Sequence, residues 1–159
     1  VDQGLTGRNA EFLRRRIGPE AVLNLEARGV QYFRIGEKHC GLSVPGTIRL
    51  GHTYFTHGFS TNKHAASTHL DKVGGCVFYG HTHRKDFFPA RPIHTELIAA
   101  WCPGCLCDLQ PRWQHNRPDN WVHGYDIQIV NQKDNTFQTL PVLINKGVSY
   151  LKNMMGILG

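Results

Sequence analysis

The stretch Cys76-Val77-Phe78-Tyr79-Gly80-His81-Thr82-His83 decides how this chain folds. Residues 76–79 are almost wholly apolar, the pattern of a short strand buried on both faces. Gly80 ends that strand, and two histidines two residues apart follow it. On extended backbone an even spacing places His81 and His83 on one side. Upstream, Thr53-Tyr54-Phe55-Thr56 reads as another strand, ending at His57 and the turn residue Gly58. Strand ends are rigid platforms whose loops hold side chains in a shared crevice, and Gly58 and Gly80 admit close approach to the backbone. The two features together point to a metal or phosphate site. For His57 alone, a plain hydrogen-bonded strand-end histidine remains an equal reading.

Around these strand ends the chain alternates short helices and strands. Asn9 to Arg16 reads as a helix that closes on a basic cluster, in keeping with the helix dipole. A second runs from Pro19 to Ala27 between Gly18 and Gly29. Val30–Phe33, Thr47–Leu50 and Thr53–Thr56 read as strands, the last two as a hairpin about Gly51. Lys63 to Val73 is a helix with Ala65, Ala66 and Leu70 on one face, stopped by Gly74-Gly75. Leu97–Trp101 is a further strand, followed by an irregular Cys-, Pro- and Trp-rich stretch from Cys102 to Trp121. Gly124–Val130 and Phe137–Val142 form a last hairpin. The expectation is a mixed α/β domain over residues 1–150, with 151–159 as a C-terminal tail.

The chain has 159 residues, enough for one domain with a sizeable core. Charged residues make up 19% and hydrophobic ones 40%, which excludes a disordered polyelectrolyte. No apolar run approaches the roughly 18 residues of a membrane helix, and no basic-then-apolar leader opens the sequence. A net charge of +6 favours anionic partners such as phosphate esters or nucleic acid. Five cysteines, an odd number, favour a reduced cytoplasmic compartment over a disulfide scaffold. The ten histidines are the unusual count, since imidazole is the commonest metal ligand.

Gly80-His81-Thr82-His83 resembles the terminal Gly-His-X-His motif of the calcineurin-like metallophosphoesterases, and Phe55-Thr56-His57-Gly58 resembles the His-Gly motif that precedes it. The stretch Gly104-Cys105-Leu106-Cys107-Asp108-Leu109 through Asn120-Trp121-Val122-His123-Gly124-Tyr125 is similar to the phage and bacterial branch. The resemblance spans Gly29 to Val142. It implies the C-terminal half of a four-layer α/β/β/α sandwich, with a mixed sheet and two to three short helices. It further implies up to two divalent ions (Mn, Fe, Zn or Ni), a phosphomonoester or phosphodiester substrate, and a cytoplasmic setting in a bacterial or phage-infected cell. By position His57 and His81 would hold the second ion and His83 the first.

The family's N-terminal motifs are a different matter. No Asp-X-His and no Gly-Asp pair occurs in the sequence. Gly7-Arg8-Asn9-Ala10-Glu11 is similar to the third motif, with Asn9 at the metal-ligand position and Ala10 where the catalytic histidine would stand. Asn9 reads equally well as a helix N-cap. Three neutral imidazoles and one amide offset the charge of two divalent ions poorly, so no residue is assigned a catalytic role here. The resemblance then implies either another chain that supplies the N-terminal half, pairing at an exposed strand edge, or a noncatalytic structural or binding protein that keeps the fold; a homo-oligomer is a further partner reading. A basic nucleic-acid-binding module is a third reading, marked by steep salt dependence.

Other residues carry two readings each. Cys102, Cys105 and Cys107 have a chelating C-x2-C-x-C spacing, with His115 or His123 as a fourth zinc ligand, or they pack around Leu106 in the core. His64 meets a phosphate or sits on a solvated helix face. Arg84 and Lys85 steer an anionic substrate or belong to a plain loop. Trp101, Trp113 and Trp121 stack on bases or anchor the irregular stretch.

Overall fold

The computed structural model describes residues 12, 16–34, 38–39, 41–42, 44, 46–93, 96–114, 120–149 and 151. The chain divides into two compact units, Val1–Arg34 and Ile35–Gly159. In the first, α1 (Pro19–Val22) starts at Gly18 with Pro19 in its first turn, where a missing N–H costs nothing. The regular helix stops short of the expected Ala27, and turns continue to Gly29. Arg34 closes this unit on Glu20 at 2.8 Å. Val30–Phe33 forms no strand. Its propensity is right, but a strand needs a ladder partner, and propensity alone does not supply one.

The second unit is built on a five-stranded mixed sheet of order β1-β2-β3-β5-β4. β1 (Thr47–Leu50) and β2 (Thr53–Thr56) form the expected antiparallel hairpin. From β2 the chain crosses through α2 (Ala65–Val73) to β3 (Val77–Tyr79), which runs parallel to β2 with Thr56 opposite Tyr79. β5 (Ile98–Pro103) lies parallel to β3 on its other side, and β4 (Lys85–Ala90) pairs antiparallel with β5 at the sheet edge. β6 (Gly124–Val130) and β7 (Phe137–Leu143) form a separate hairpin. The general α/β class is as expected. No described helix is long and apolar enough to cross a membrane.

Alternation along the strands separates two faces. One carries Val77, Tyr79, Ala100 and Cys102 against Ala65, Ala66, Leu70 and Val73 of α2, and this is the buried core. Small alanines in the first turn bring the helix close to the sheet, and Gly74, at φ 72°, caps it by donating its N–H to Leu70 O at 2.8 Å. Truncating a fully buried side chain such as Leu70 to Ala costs about 2–5 kcal/mol. The other face carries a row of one apolar side chain per strand: Ile48, Phe55, Phe78, Trp101 and Phe87 lie in register across all five strands. Phe55 and Phe78 stack at 5.5 Å and Phe78 and Trp101 at 5.0 Å. Phe137 of β7 meets Trp101 edge-on at 5.8 Å, so the hairpin covers part of that face. Lys85 pairs with the buried Asp126 of β6 and adds a second tie between hairpin and sheet.

Candidate metal centre

β2 and β3 are parallel and in register, so His57 and His81 leave the sheet together at its carboxyl edge. In open α/β sheets ligands bind at that edge. The Gly80 N–H donates to Thr56 O at 3.3 Å and to His57 O at 3.1 Å, which fastens one strand exit to the other. His57 Nε2 then stands 3.1 Å from His81 Nδ1. Gly58 has φ 107°, and a Cβ there would lie 3.0 Å from Gly80 O and 3.1 Å from His81 Cβ. Only glycine fits that approach.

The backbone after β3 is not extended. His81 and His83 both adopt left-handed conformations, at φ 69° and 57°. The even-spacing expectation therefore does not describe this segment, because Thr82 turns inward between them. Its side chain is buried and its Oγ1 lies 3.3 Å from Cys102 Sγ. His81 meets His57, whereas His83 Nδ1 lies 3.6 Å from Cys107 Sγ. Burial, and then the charges of His81 and His83, lower the His57 pKa, which keeps this imidazole in the neutral form that binds metals.

His69 supports the site, and the sequence reading left it without a role. It lies on α2, four residues beyond Ala65 and so on the same buried face, and it is fully buried. Nδ1 donates to Ala65 O at 2.6 Å, and Nε2 accepts the Phe59 N–H at 3.0 Å. Its ring stacks on Tyr79 at 4.0 Å and contacts Phe59 at 4.1 Å. Tyr79 donates to Asp86 Oδ2 at 2.8 Å, and burial raises its pKa. His69 thus clamps the loop that carries His57.

Of the remaining candidates, His64 is exposed at the start of α2, where its carbonyl accepts from the Ser67 and Thr68 hydroxyls. Arg84 donates to Asn62 O at 2.7 Å, so its guanidinium ties down the loop between β2 and α2. Asn9 and His115 lie outside the described residues. The cysteines separate: Cys102 is buried on the α2 face of β5, and Leu106 is 72% exposed rather than packed in a core. Cys105 and Cys107 instead join His83, their ligand atoms all within 4.8 Å of one another. Among the described residues this is the one group of three side chains able to hold a metal ion. The chain segment that brings them together is non-local, which is why His83 could not be paired with them by spacing. His123 donates from Nε2 to Cys107 O at 2.6 Å, so that nitrogen supports the loop.

The chain matches no family model, no curated protein and no solved structure.

Proposed function

We propose that this chain carries the histidine side of a metal-dependent phosphoesterase centre. The observation that carries the reading is the His57–His81 pair: two imidazole nitrogens converge at 3.1 Å at the carboxyl edge of two parallel strands. With metal–nitrogen bonds of about 2.0–2.1 Å, two ligands on one cation stand about 2.9–3.3 Å apart, so the spacing suits a shared ion. The similarity of Phe55–Gly58 and Gly80–His83 to the metallophosphoesterase motifs supplies the chemistry. On this reading the five-stranded sheet and the β6–β7 hairpin belong to the two sheets of an α/β/β/α sandwich.

In such a centre a bound divalent ion supplies Lewis acidity and a water of lowered pKa. The chain's own part is positional. His57 and His81 hold the ion, His69 fixes the loop behind His57, and Arg84, held on Asn62 O, places positive charge beside the histidine turn. The carboxylates of the family motifs would come from outside this sequence, since a second copy lacks the same motifs. The absence of any Asp-X-His or Gly-Asp pair favours a second reading, a binding or structural protein that keeps the fold without the hydrolysis.

Calorimetric titration with Mn2+ and Zn2+, beside a His57→Ala/His81→Ala variant, tests the centre. Loss of one bound ion in the variant is expected, and identical isotherms would sink the proposal. Hydrolysis of bis(p-nitrophenyl) phosphate then separates the readings. Turnover above that of metal in buffer supports the esterase, while metal binding without turnover supports the noncatalytic protein.

A further inference from the structure

We propose that His83, Cys105 and Cys107 form a site of their own for a thiophilic divalent cation, zinc foremost, with one imidazole and two thiolates as ligands and the fourth position left to water or a substrate oxygen. The site takes His83 from the set used by the phosphoesterase reading, but it stands on the geometry around the thiols and not on hydrolysis. The separation of His83 Nδ1 and Cys107 Sγ is 3.6 Å. With metal–nitrogen and metal–sulfur bonds of about 2.0 and 2.3 Å at the tetrahedral angle, the two atoms stand about 3.5–3.6 Å apart. Three protein ligands with one position kept open is the arrangement of zinc sites that do chemistry, whereas structural sites close all four.

The backbone holds the ligands in place before any ion arrives. Val122 is the hub: its N–H donates to His83 O at 3.0 Å, and its carbonyl accepts the Cys105 N–H at 2.9 Å. The Gly124 N–H donates to Cys105 O at 3.1 Å, and His123 Nε2 secures Cys107 O. Gly104 makes the turn that aims the thiols. Its φ is 90°, and a Cβ there would lie 2.4 Å from Val122 O, so no other residue fits. Partners of this kind orient metal ligands and keep them from collapsing on one another.

Charge favours the same assignment. Binding a divalent ion releases the two thiol protons, and the resulting thiolates cancel its charge within the ligand set. The imidazole pair of His57 and His81 offers no such compensation. Thiolates also select the metal, since soft sulfur ligands prefer zinc over manganese or magnesium. The chain therefore supplies anionic ligands at this strand edge without the carboxylates that the family motifs would bring.

Cobalt is the direct probe. The full chain, stripped of metal under reducing conditions, is titrated with Co2+ and followed in the near ultraviolet. A thiolate-to-cobalt absorption saturating at one equivalent is expected, abolished in Cys105→Ser/Cys107→Ser and retained in His57→Ala/His81→Ala. Competition with Zn2+ reads the affinity, and the double cysteine variant should weaken it by about 100-fold or more, at least the loss that disturbing a supporting partner causes. Because a variant could fail to fold, a second measurement uses the unmodified sequence: Zn2+ should protect Cys105 and Cys107 from iodoacetamide, followed by peptide mass. No sulfur-to-cobalt band, a band that persists without the two thiols, a band lost with His57 and His81, or alkylation indifferent to Zn2+ would each overturn the proposal.

Discussion

His69 shows how one buried side chain can govern a site it does not enter. Its Nδ1–H is committed to Ala65 O, so Nε2 is left as the acceptor for the Phe59 N–H. A second proton on the ring would abolish that acceptor. Burial lowers the His69 pKa, as it does that of His57, where His81 and His83 add to the effect. Unfolded, both imidazoles titrate near 6.5. As the pH falls through that value, the unfolded chain takes up protons that the folded chain resists, so stability present above about pH 6.5 is lost toward the lower folded values. The urea midpoint should therefore drop between about pH 7.5 and pH 5, and His69→Gln should flatten part of that drop. Gly58→Ala forces a Cβ against Gly80 O and strains a φ of 107°. It should cost about 1–3 kcal/mol in thermal unfolding and separate His57 from His81, read as weaker Mn2+ or Zn2+ binding.

The elements show where composition speaks and where it falls silent. Thr53–Thr56, Val77–Tyr79 and the hairpin strands were legible because β-branched and aromatic residues alternate or cluster there. β4 was not. It is an edge strand with Phe87, Phe88 and Pro89 exposed, and Pro89 reads as a break although an edge tolerates it. Val30–Phe33 erred in the opposite direction, with strand propensity and no ladder. The candidate site was half legible: the Gly-His-Thr-His turn stood out, but its left-handed backbone and the Cys105–Cys107 partnership with His83 depend on contacts between distant segments. Asp126 is another such contact. Its side chain is 3% exposed and its pairing with Lys85 ties β6 to the start of β4. Asp126→Ala should destabilise the fold by about 1–3 kcal/mol, by removing the charged partner of a part-buried ammonium that keeps the Pro103 and Tyr125 carbonyls as acceptors. Lys85→Met/Asp126→Leu should recover most of that loss in thermal melts.

Across the whole sheet, the carboxyl ends of β2, β3 and β5 meet at one edge, and His57, His81, His83, Cys105 and Cys107 each follow one of them within a few residues. An ion bound there ties together segments that the chain brings together only on folding. Zinc at about 100 times its dissociation constant should add about 2.7 kcal/mol of stability, visible as a raised Tm that a chelator reverses. Trp121 makes such events observable without any label. Its ring meets His83 edge-on at 4.2 Å and stands 6.0 Å from Trp113, while Trp101 is held in the aromatic row between Phe78 and Phe137. Two indoles thus sit beside the thiol site and one reads the packing of the sheet. A paramagnetic ion at His83 should darken the first pair and spare the third, so the chain's own fluorescence distinguishes a filled site from a loosened fold.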